Sequence, residues 1–159
     1  MPVVYPHHQP PDSPRHAVLT TIASDSHTWN LLFLQLLLEE QGWEVTNLGA
    51  CVPVDVLVEE AAARTPDLIV VSTVNGHGAE EAPGLARAVR AVPALAEVPL
   101  VVGGKLDTSG STGPDVHAAL TDAGFDAVLT GASAVPGLLA LLDGLPEHRH
   151  GRSHADAVR

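Results

Sequence analysis

This 159-residue chain has few cationic, sulfur-containing or aromatic residues. It has one cysteine, Cys51, one lysine, Lys105, and only five aromatic residues: two Trp, two Phe and one Tyr. A single cysteine excludes an internal disulfide and an all-cysteine metal site. Eight basic residues stand against 19 acidic ones, which gives a formal net charge of -11. Nucleic-acid binding needs a basic face, so this charge balance argues against it.

Long apolar runs are also missing, since none approaches the roughly 18 residues of a membrane-spanning helix. Residues 1–15 contain five prolines and lack the apolar core of a signal peptide. We therefore expect a cytoplasmic protein that binds neither membranes nor nucleic acid. We also expect an irregular arm over residues 1–15, one folded domain over 16–144 and a flexible polar tail over 145–159.

Apolar residues make up 45% of the chain, enough to bury a core, and they fall into alternating strand-like and helix-like segments. The strands are predicted at 17–23, 43–48, 68–71, 100–102 and 127–129. The helices are predicted at 31–41, 54–64, 83–92, 114–123 and 135–142. This alternation predicts an α/β fold with a doubly wound, five-stranded parallel sheet, and a flavodoxin-like or Rossmann-like strand order.

Unusual polar residues follow the predicted strands at one edge of the sheet. They fall in segments 24–30, 72–78, 103–110 and 130–133, whereas the opposite edge carries ordinary connectors. Ligands of open parallel sheets bind outside the carboxyl ends of the strands. The sequence therefore predicts a binding site at this edge.

Asp25 and His27 are the most suggestive pair in these segments. A carboxylate that accepts one ring N–H fixes the histidine tautomer and frees the other nitrogen as a base or a metal ligand. The alternative is that Asp25 or Ser26 caps the following helix and that His27 is a solvated loop residue. The spacing alone leaves both interpretations open.

Three further motifs are candidates, and the first two have two interpretations each. Ser72 and Thr73 could hydrogen-bond a ligand or only cap a turn, and His77 could be a site residue or an exposed loop histidine. Gly103 and Gly104 permit a close approach of another group to the backbone. This segment matches neither of the common glycine-rich nucleotide motifs, so the signal for a nucleotide is weak.

Together these motifs resemble a known family. Asp25-Ser26-His27 after the first strand, Ser72-Thr73-Val74 after the third and Gly103-Gly104 after the fourth resemble the signature D-x-H-x-x-G, S-x-L, G-G of cobalamin-binding domains. The resemblance covers roughly residues 16–143 and is strongest to the small subunits of glutamate mutase (methylaspartate mutase).

The resemblance implies that adenosylcobalamin binds with its dimethylbenzimidazole displaced from cobalt, and that His27 takes the vacant axial position. Asp25 would support His27, Ser72 would hydrogen-bond the benzimidazole, and Val74 would pack beside it. The remaining contacts that it implies are Ser24, Ser26, Thr28, Asn30, Thr73, Gly103, Gly104, Lys105, Leu106, Asp107, Thr108, Ser109, Gly131 and Ser133. Lys105 would lie near the phosphate of the nucleotide tail.

The implied function is that of a cofactor subunit in an adenosylcobalamin-dependent carbon-skeleton mutase, such as the one that converts glutamate to 3-methylaspartate by radical chemistry. A separate barrel-type catalytic subunit would supply the substrate pocket, so this chain would hold no catalytic residue and would be inactive alone. The alternatives are a corrinoid carrier for a methyltransferase or radical enzyme, and an interaction module that has lost cobalamin. A flavodoxin or receiver domain fits the motifs less well.

Two residues depart from the signature. Asn30 stands in place of the final glycine of D-x-H-x-x-G, where it either crowds the nucleotide tail or hydrogen-bonds it. Val74 replaces the leucine of S-x-L, a loss of one methylene worth about 1 kcal/mol if buried. The first departure therefore bears on the binding mode, and the second is minor.

Overall fold

The computed structural model of the chain describes residues 14–109 and 112–146. The strands are β1 (His16–Thr20), β2 (Glu44–Asn47), β3 (Leu68–Thr73), β4 (Leu100–Gly104) and β5 (Ala127–Leu129). The helices are α1 (Trp29–Glu40), α2 (Val54–Arg64), α3 (Gly78–Arg90), α4 (Pro114–Ala123) and α5 (Ala134–Gly144), with short 3-10 turns at Pro93–Leu95 and Gly131–Ser133. Most of the predicted arm and tail, residues 1–13 and 147–159, lies outside the described residues.

All neighbouring strands pair in parallel, in the order β2-β1-β3-β4-β5. This confirms the predicted doubly wound, flavodoxin-like fold. The chain moves to one side of β1 to form β2 and to the other side to form β3, so the direction of winding changes beside β1 and β3. A crevice at the carboxyl ends of these strands is where such sheets bind ligands.

Helices cover both faces of the sheet. Along β3, Ile69 and Val71 pack in one core cluster with α2, α3 and α4, whereas Leu68 and Val70 pack in the other with α1 and α5. Every residue of β3 is buried. Burial on both faces is the reason that the first four residues of this strand, 68–71, are all apolar rather than alternating with polar residues.

Two of the predicted boundaries were wrong in a way that affects the site. Strands β3 and β4 each continue two residues beyond the prediction, so that Ser72 pairs with Gly103 and Thr73 pairs with Gly104 inside the sheet. These four residues of the signature segments therefore form the last pairs of the parallel ladder rather than loops. Their positions are fixed by backbone hydrogen bonds before any ligand is present.

Helix α3 begins five residues earlier than predicted, at Gly78, with Pro83 inside it. The amide of Ala79 donates a 2.8 Å hydrogen bond to the carbonyl of Leu106, which holds the first turn against the loop after β4. A Cβ at Gly78 would lie 2.7 Å from Thr73 Cγ2, so only glycine allows this close approach. Proline normally favours a helix start, but here tertiary contacts extend the helix before it.

Substitution of Gly104 tests the tightness of the β3–β4 edge. Gly104 has φ +108°, and an added Cβ would lie 2.1 Å from the Thr73 carbonyl oxygen. We expect Gly104→Ala to lower the free energy of unfolding by about 2 kcal/mol or more, measured by urea denaturation. Gly113→Ala is the matched control, because Gly113 has φ −71° and no atom would lie within 4 Å of its Cβ. Equal stability of the two variants would contradict the expected strain.

Candidate functional site

Asp25 lies at the centre of the carboxyl edge and is fully buried. Its Oδ1 accepts a 3.0 Å hydrogen bond from the His27 amide and lies 2.6 Å from Nδ1 of the His27 ring. Its Oδ2 accepts bonds of 2.7 Å from both the Thr73 hydroxyl and the Val74 amide. The carboxylate thus ties the loop after β1 to the end of β3, 48 residues away.

The carboxyl group of Asp25 is held in its charged form. Burial by itself raises the pKa of Asp25, but hydrogen bonds from the His27 amide, Thr73, Val74 and the His27 ring outweigh burial. The net effect keeps this pKa well below its ordinary value. An ionised Asp25 can only accept hydrogen bonds, so His27 Nδ1 must carry the proton in their mutual bond.

His27 is therefore presented in one orientation and one tautomer. Its side chain is 46% exposed, and the nitrogen that Asp25 does not engage is Nε2. Thr28 is the N-cap residue of α1, and no side-chain hydrogen bond caps the helix. The interpretation of Asp25 or Ser26 as a helix cap was therefore wrong. A histidine whose Nδ1 lies against a carboxylate can in principle act through Nε2 as a base or a metal ligand.

Ser72 and Asn30 form a second buried polar pair. The Asn30 side-chain nitrogen donates to Ser72 Oγ at 2.8 Å and faces the Ser72 backbone carbonyl at 3.4 Å. Both of these partners can accept, which fixes the amide with its nitrogen toward Ser72. The Asn30 side-chain oxygen is buried and has no hydrogen-bond partner among the described residues. An unpaired buried acceptor costs about 1–3 kcal/mol.

The Asn30–Ser72 pair lies in the wall of an apolar pocket between α1, α5 and the ends of β3, β4 and β5. We call this pocket the slot. It has a volume of about 160 Å³. Its lining residues are Trp29, Asn30, Phe33, Leu34, Val70, Val71, Ser72, Val74, Val101, Gly103, Gly104, Leu129, Ala134, Val135 and Leu138. Apart from Asn30, Ser72 and Trp29, whose indole carries one N–H, the lining residues have apolar side chains or are glycines, so the slot suits a flat, largely apolar group.

The glycines of β4 are required by the sheet itself. A Cβ at Gly103 would lie 2.5 Å from the carbonyl oxygen of Leu129, and one at Gly104 would meet the Thr73 carbonyl. Both glycines also line the slot. The groups that approach these glycines closely are therefore the backbone carbonyls of the neighbouring strands β5 and β3. This wall of the slot is formed without a ligand.

The other predicted residues are spread around the rim. Ser24 Oγ accepts a 2.9 Å hydrogen bond from the Asn75 side chain, which joins the loops after β1 and β3. The Thr73 hydroxyl donates its hydrogen bond to Asp25, and Leu106 is buried in the core. Neither side chain is therefore exposed at the rim. The exposed or half-buried remainder are Ser26, Thr28, Lys105, Asp107, Thr108, Ser109, Gly131 and Ser133.

Sequence reasoning missed most of the slot wall. Trp29 and Phe33 from α1 and Val135 and Leu138 from α5 line it, yet their spacing predicts only ordinary helix packing. The signal that could have found them was an excess of apolar residues on α1. Its outer face carries Trp29, Leu32, Phe33 and Leu36 at positions i, i+3, i+4 and i+7, each more than half exposed. We call these four residues the α1 stripe.

Comparisons with known proteins identify the family of the chain. The B12 binding domain model matches residues 15–111. The glutamate mutase sigma subunit of Treponema denticola is 34% identical over 111 residues, which cover 70% of this chain and 79% of that protein. The HTH-type transcriptional repressor CarA of Myxococcus xanthus is 39% identical over 95 residues, 59% of this chain but 32% of that protein.

A solved structure of a cobalamin-binding protein from Desulfitobacterium hafniense shares the fold, with a TM-score of 0.65 at 20% identity over 80% of this chain and 58% of that one. No helix in residues 14–109 and 112–146 is long and apolar enough to cross a membrane. The match of the family model to more than half of the residues and the sigma subunit alignment lead to one conclusion: this chain belongs to the B12 binding domain family and is similar over most of its length to glutamate mutase sigma subunits.

Proposed function

We propose that this chain binds a cobalamin with its lower base displaced from cobalt, that Nε2 of His27 is the protein ligand of the metal, and that the displaced base occupies the slot. The observation that carries the proposal is the 2.6 Å contact of Asp25 with His27 Nδ1, which leaves Nε2 as the coordinating nitrogen. Histidine ligands of metals commonly donate their other N–H to a carboxylate in this way.

The residues of the site fit this cofactor. A cavity of about 150 Å³ holds one benzene ring, so the slot in its present form accepts one ring of a planar base. A fused two-ring base needs α1 and α5 to separate slightly. The polar group on the wall nearest β3 is Ser72, whose hydroxyl can donate to a ring nitrogen. Lys105 is exposed at the rim, where a tail phosphate would favour a cation.

A metal ion bound by protein side chains alone does not fit the site. Among the described residues no group of three or more His, Cys, Asp or Glu side chains could hold a metal ion. A metal at His27 would therefore take its remaining ligands from water or from a macrocycle, and a corrin macrocycle is the one that the family match favours.

The relatives support a role for the chain in a larger enzyme. Similarity to glutamate mutase sigma subunits at 28–34% identity supports a cofactor subunit of a carbon-skeleton mutase that works with a separate catalytic subunit. We infer that this partner is of the barrel type. When bound, adenosylcobalamin supplies radical chemistry through its weak cobalt–carbon bond. The residues of this chain contribute orientation: Asp25 fixes His27, and the slot walls exclude water from the base.

A second function is favoured by one observation. The match to CarA shows that a domain of this sequence type also occurs within a transcriptional repressor. A cobalamin-responsive interaction module is therefore the second candidate. The two differ in a measurable way, because only a mutase subunit supports isomerisation of a carbon skeleton when it is mixed with a catalytic subunit.

The test of the proposal is electron paramagnetic resonance of the chain with reduced cobalamin, after labelling of histidine with nitrogen-15. We expect the cobalt signal to show splitting by a labelled protein nitrogen. Chain prepared with unlabelled histidine is the control, since its splitting must follow nitrogen-14. Cobalamin that binds while it retains its own base on cobalt would contradict the proposed binding mode, and absence of binding would contradict the function altogether.

A further inference from the structure

We propose that the α1 stripe is a surface on which a second copy of this chain packs its own α1, in the antiparallel direction, to form a weak symmetric dimer. The inference goes beyond the proposed function and does not rest on it, because it concerns the outer face of a helix and uses no property of the cofactor site. Failure of either proposal leaves the other standing.

The stripe is a contiguous apolar surface. Five large apolar side chains remain exposed among the described residues, and four of them form the stripe. The fifth, Val56, stands alone on α2 at the other face of the sheet. Single exposed apolar residues are normal, whereas a contiguous patch marks an interaction surface. The spacing i, i+3, i+4 and i+7 sets the four side chains in one row, the pattern with which one helix packs against another.

The size and symmetry of the stripe fit a second copy. Four half-exposed side chains of this size offer roughly 400 Å² of apolar surface per copy. A standard interface buries about 800 Å² per partner, so the stripe is the apolar centre of a small interface and predicts a weak dimer. A two-fold axis between Leu32 and Phe33 places Trp29 of each copy against Leu36 of the other. One row of side chains thus provides both halves of the interface.

The charges at the two ends of α1 select the direction of packing. The last turn carries Glu39 and Glu40 and no basic residue, although the carboxyl end of a helix favours cations. The first turn carries no acidic residue, and no side-chain hydrogen bond caps the helix at Thr28. Each end of α1 therefore lacks, on the helix itself, the charge that the helix dipole favours.

Antiparallel packing supplies each end with the charge that it lacks. At a rise of about 1.5 Å per residue, Glu39 and Glu40 of one copy lie about 3–5 Å beyond Thr28 of the other along the helix axis. Helical side chains lean toward the amino end of their own helix, which here is the direction of the first-turn amides of the second copy. A parallel pair would instead place four glutamates together. Charge complementarity therefore favours the antiparallel dimer.

The experiment is sedimentation velocity of the unmodified chain from about 5 to 500 µM, for which we expect a reversible dimer with a dissociation constant of the order of 100 µM. Leu36→Glu introduces a charge into the interface and should weaken association by more than about tenfold. Val56→Glu is the matched control, because it adds the same charge at an exposed apolar residue outside the stripe. It should change the dissociation constant by no more than about twofold. Circular dichroism checks that both variants are folded.

A pair of charge reversals tests the direction of packing. Glu39→Lys combined with Glu40→Lys changes the net charge from -11 to -7, which lowers the repulsion between copies, but it removes the carboxylates from the helix ends of the second copy. We expect association to weaken about tenfold. Glu59→Lys combined with Glu97→Lys makes the same change in net charge at exposed residues outside α1. This control pair should strengthen association.

Three outcomes would overturn the proposal. The first is a chain that remains monomeric at the highest concentration; if deletion of residues 1–13 then allowed dimers to form, the occupant of the stripe would be the amino-terminal segment of the same chain. The second is a dimer that survives Leu36→Glu, which would place the interface elsewhere. The third is a dimer that Glu39→Lys with Glu40→Lys strengthens as much as the control pair does, which would contradict antiparallel packing.

Discussion

His27→Ala is expected to abolish the nitrogen-15 splitting of the cobalt signal and to weaken cobalamin binding by more than about 100-fold. Removal of a group that only supports a metal ligand already costs about 10–100-fold in affinity, so removal of the ligand itself should cost more. Alanine leaves the Asp25 carboxylate without its ring partner but keeps the backbone hydrogen bond from residue 27. The measurements are the paramagnetic resonance spectrum and the dissociation constant.

His77→Ala is the matched control for this prediction. His77 lies at the same edge of the sheet, is exposed, and has its Nδ1 4.0 Å from Glu80 rather than bonded to a buried carboxylate. Its replacement should leave the spectrum and the affinity unchanged. If His27→Ala retains the splitting, or if His77→Ala removes it, the assignment of His27 as the ligand is wrong.

Asp25→Asn is expected to lower the free energy of unfolding by about 3 kcal/mol at pH 7. Asparagine keeps the shape of the side chain but replaces one carboxylate oxygen with an NH₂ group, which cannot accept from Thr73, Val74 or His27. The loss should appear in urea denaturation. The same variant should also bind cobalamin more weakly, because the tautomer and orientation of His27 are no longer fixed.

The pH dependence of this loss has a definite sign. The pKa of Asp25 in the folded state lies below its ordinary value of about 3.9 in an unfolded chain. Its stabilising effect is therefore complete above about pH 4 and disappears as the pH falls through the folded-state pKa. The stability difference between the unmodified chain and Asp25→Asn should be constant from pH 5 to 8 and should shrink below about pH 4.

Glu59→Gln is the control for both measurements, since Glu59 is an exposed carboxylate on α2. It should alter stability by no more than about 0.5 kcal/mol. A difference between the unmodified chain and Asp25→Asn that grows as the pH falls would contradict the assigned role of the carboxylate. Equal free energies of unfolding for Asp25→Asn and Glu59→Gln would also contradict that role.

The fold could be predicted closely because local signals and tertiary packing agree along most of the chain. Helix α2 was predicted at 54–64 and is found there, since Pro53 starts it. Helix α4 begins at Pro114 and closes at Gly124, whose φ of +128° suits only glycine. Where they disagreed, as at Pro83, tertiary contacts between α3 and the loop after β4 decided the boundary.

The site could be predicted only in part, because its decisive contacts join residues far apart in sequence. The spacing of Asp25 and His27 left two interpretations, and the bonds from Thr73 and Val74 to the Asp25 carboxylate count against its use as a helix cap. Asn30 was recognised as a departure from the signature. Whether it crowds the slot or hydrogen-bonds within it depends on its contact with Ser72, 42 residues away, which no local pattern reports.

The α1 stripe has a consequence for how copies of this chain behave at high concentration. Helix α1 is apolar on its buried face and, through the stripe, on its outer face as well. What opposes contact between two such helices is mutual repulsion, because each copy carries a formal charge of -11. Salt shortens the reach of that repulsion to about 8 Å at physiological ionic strength. Added salt should therefore promote association of copies through the α1 stripe. This is the opposite of its effect on a complex between a basic protein and a nucleic acid, which salt dissociates.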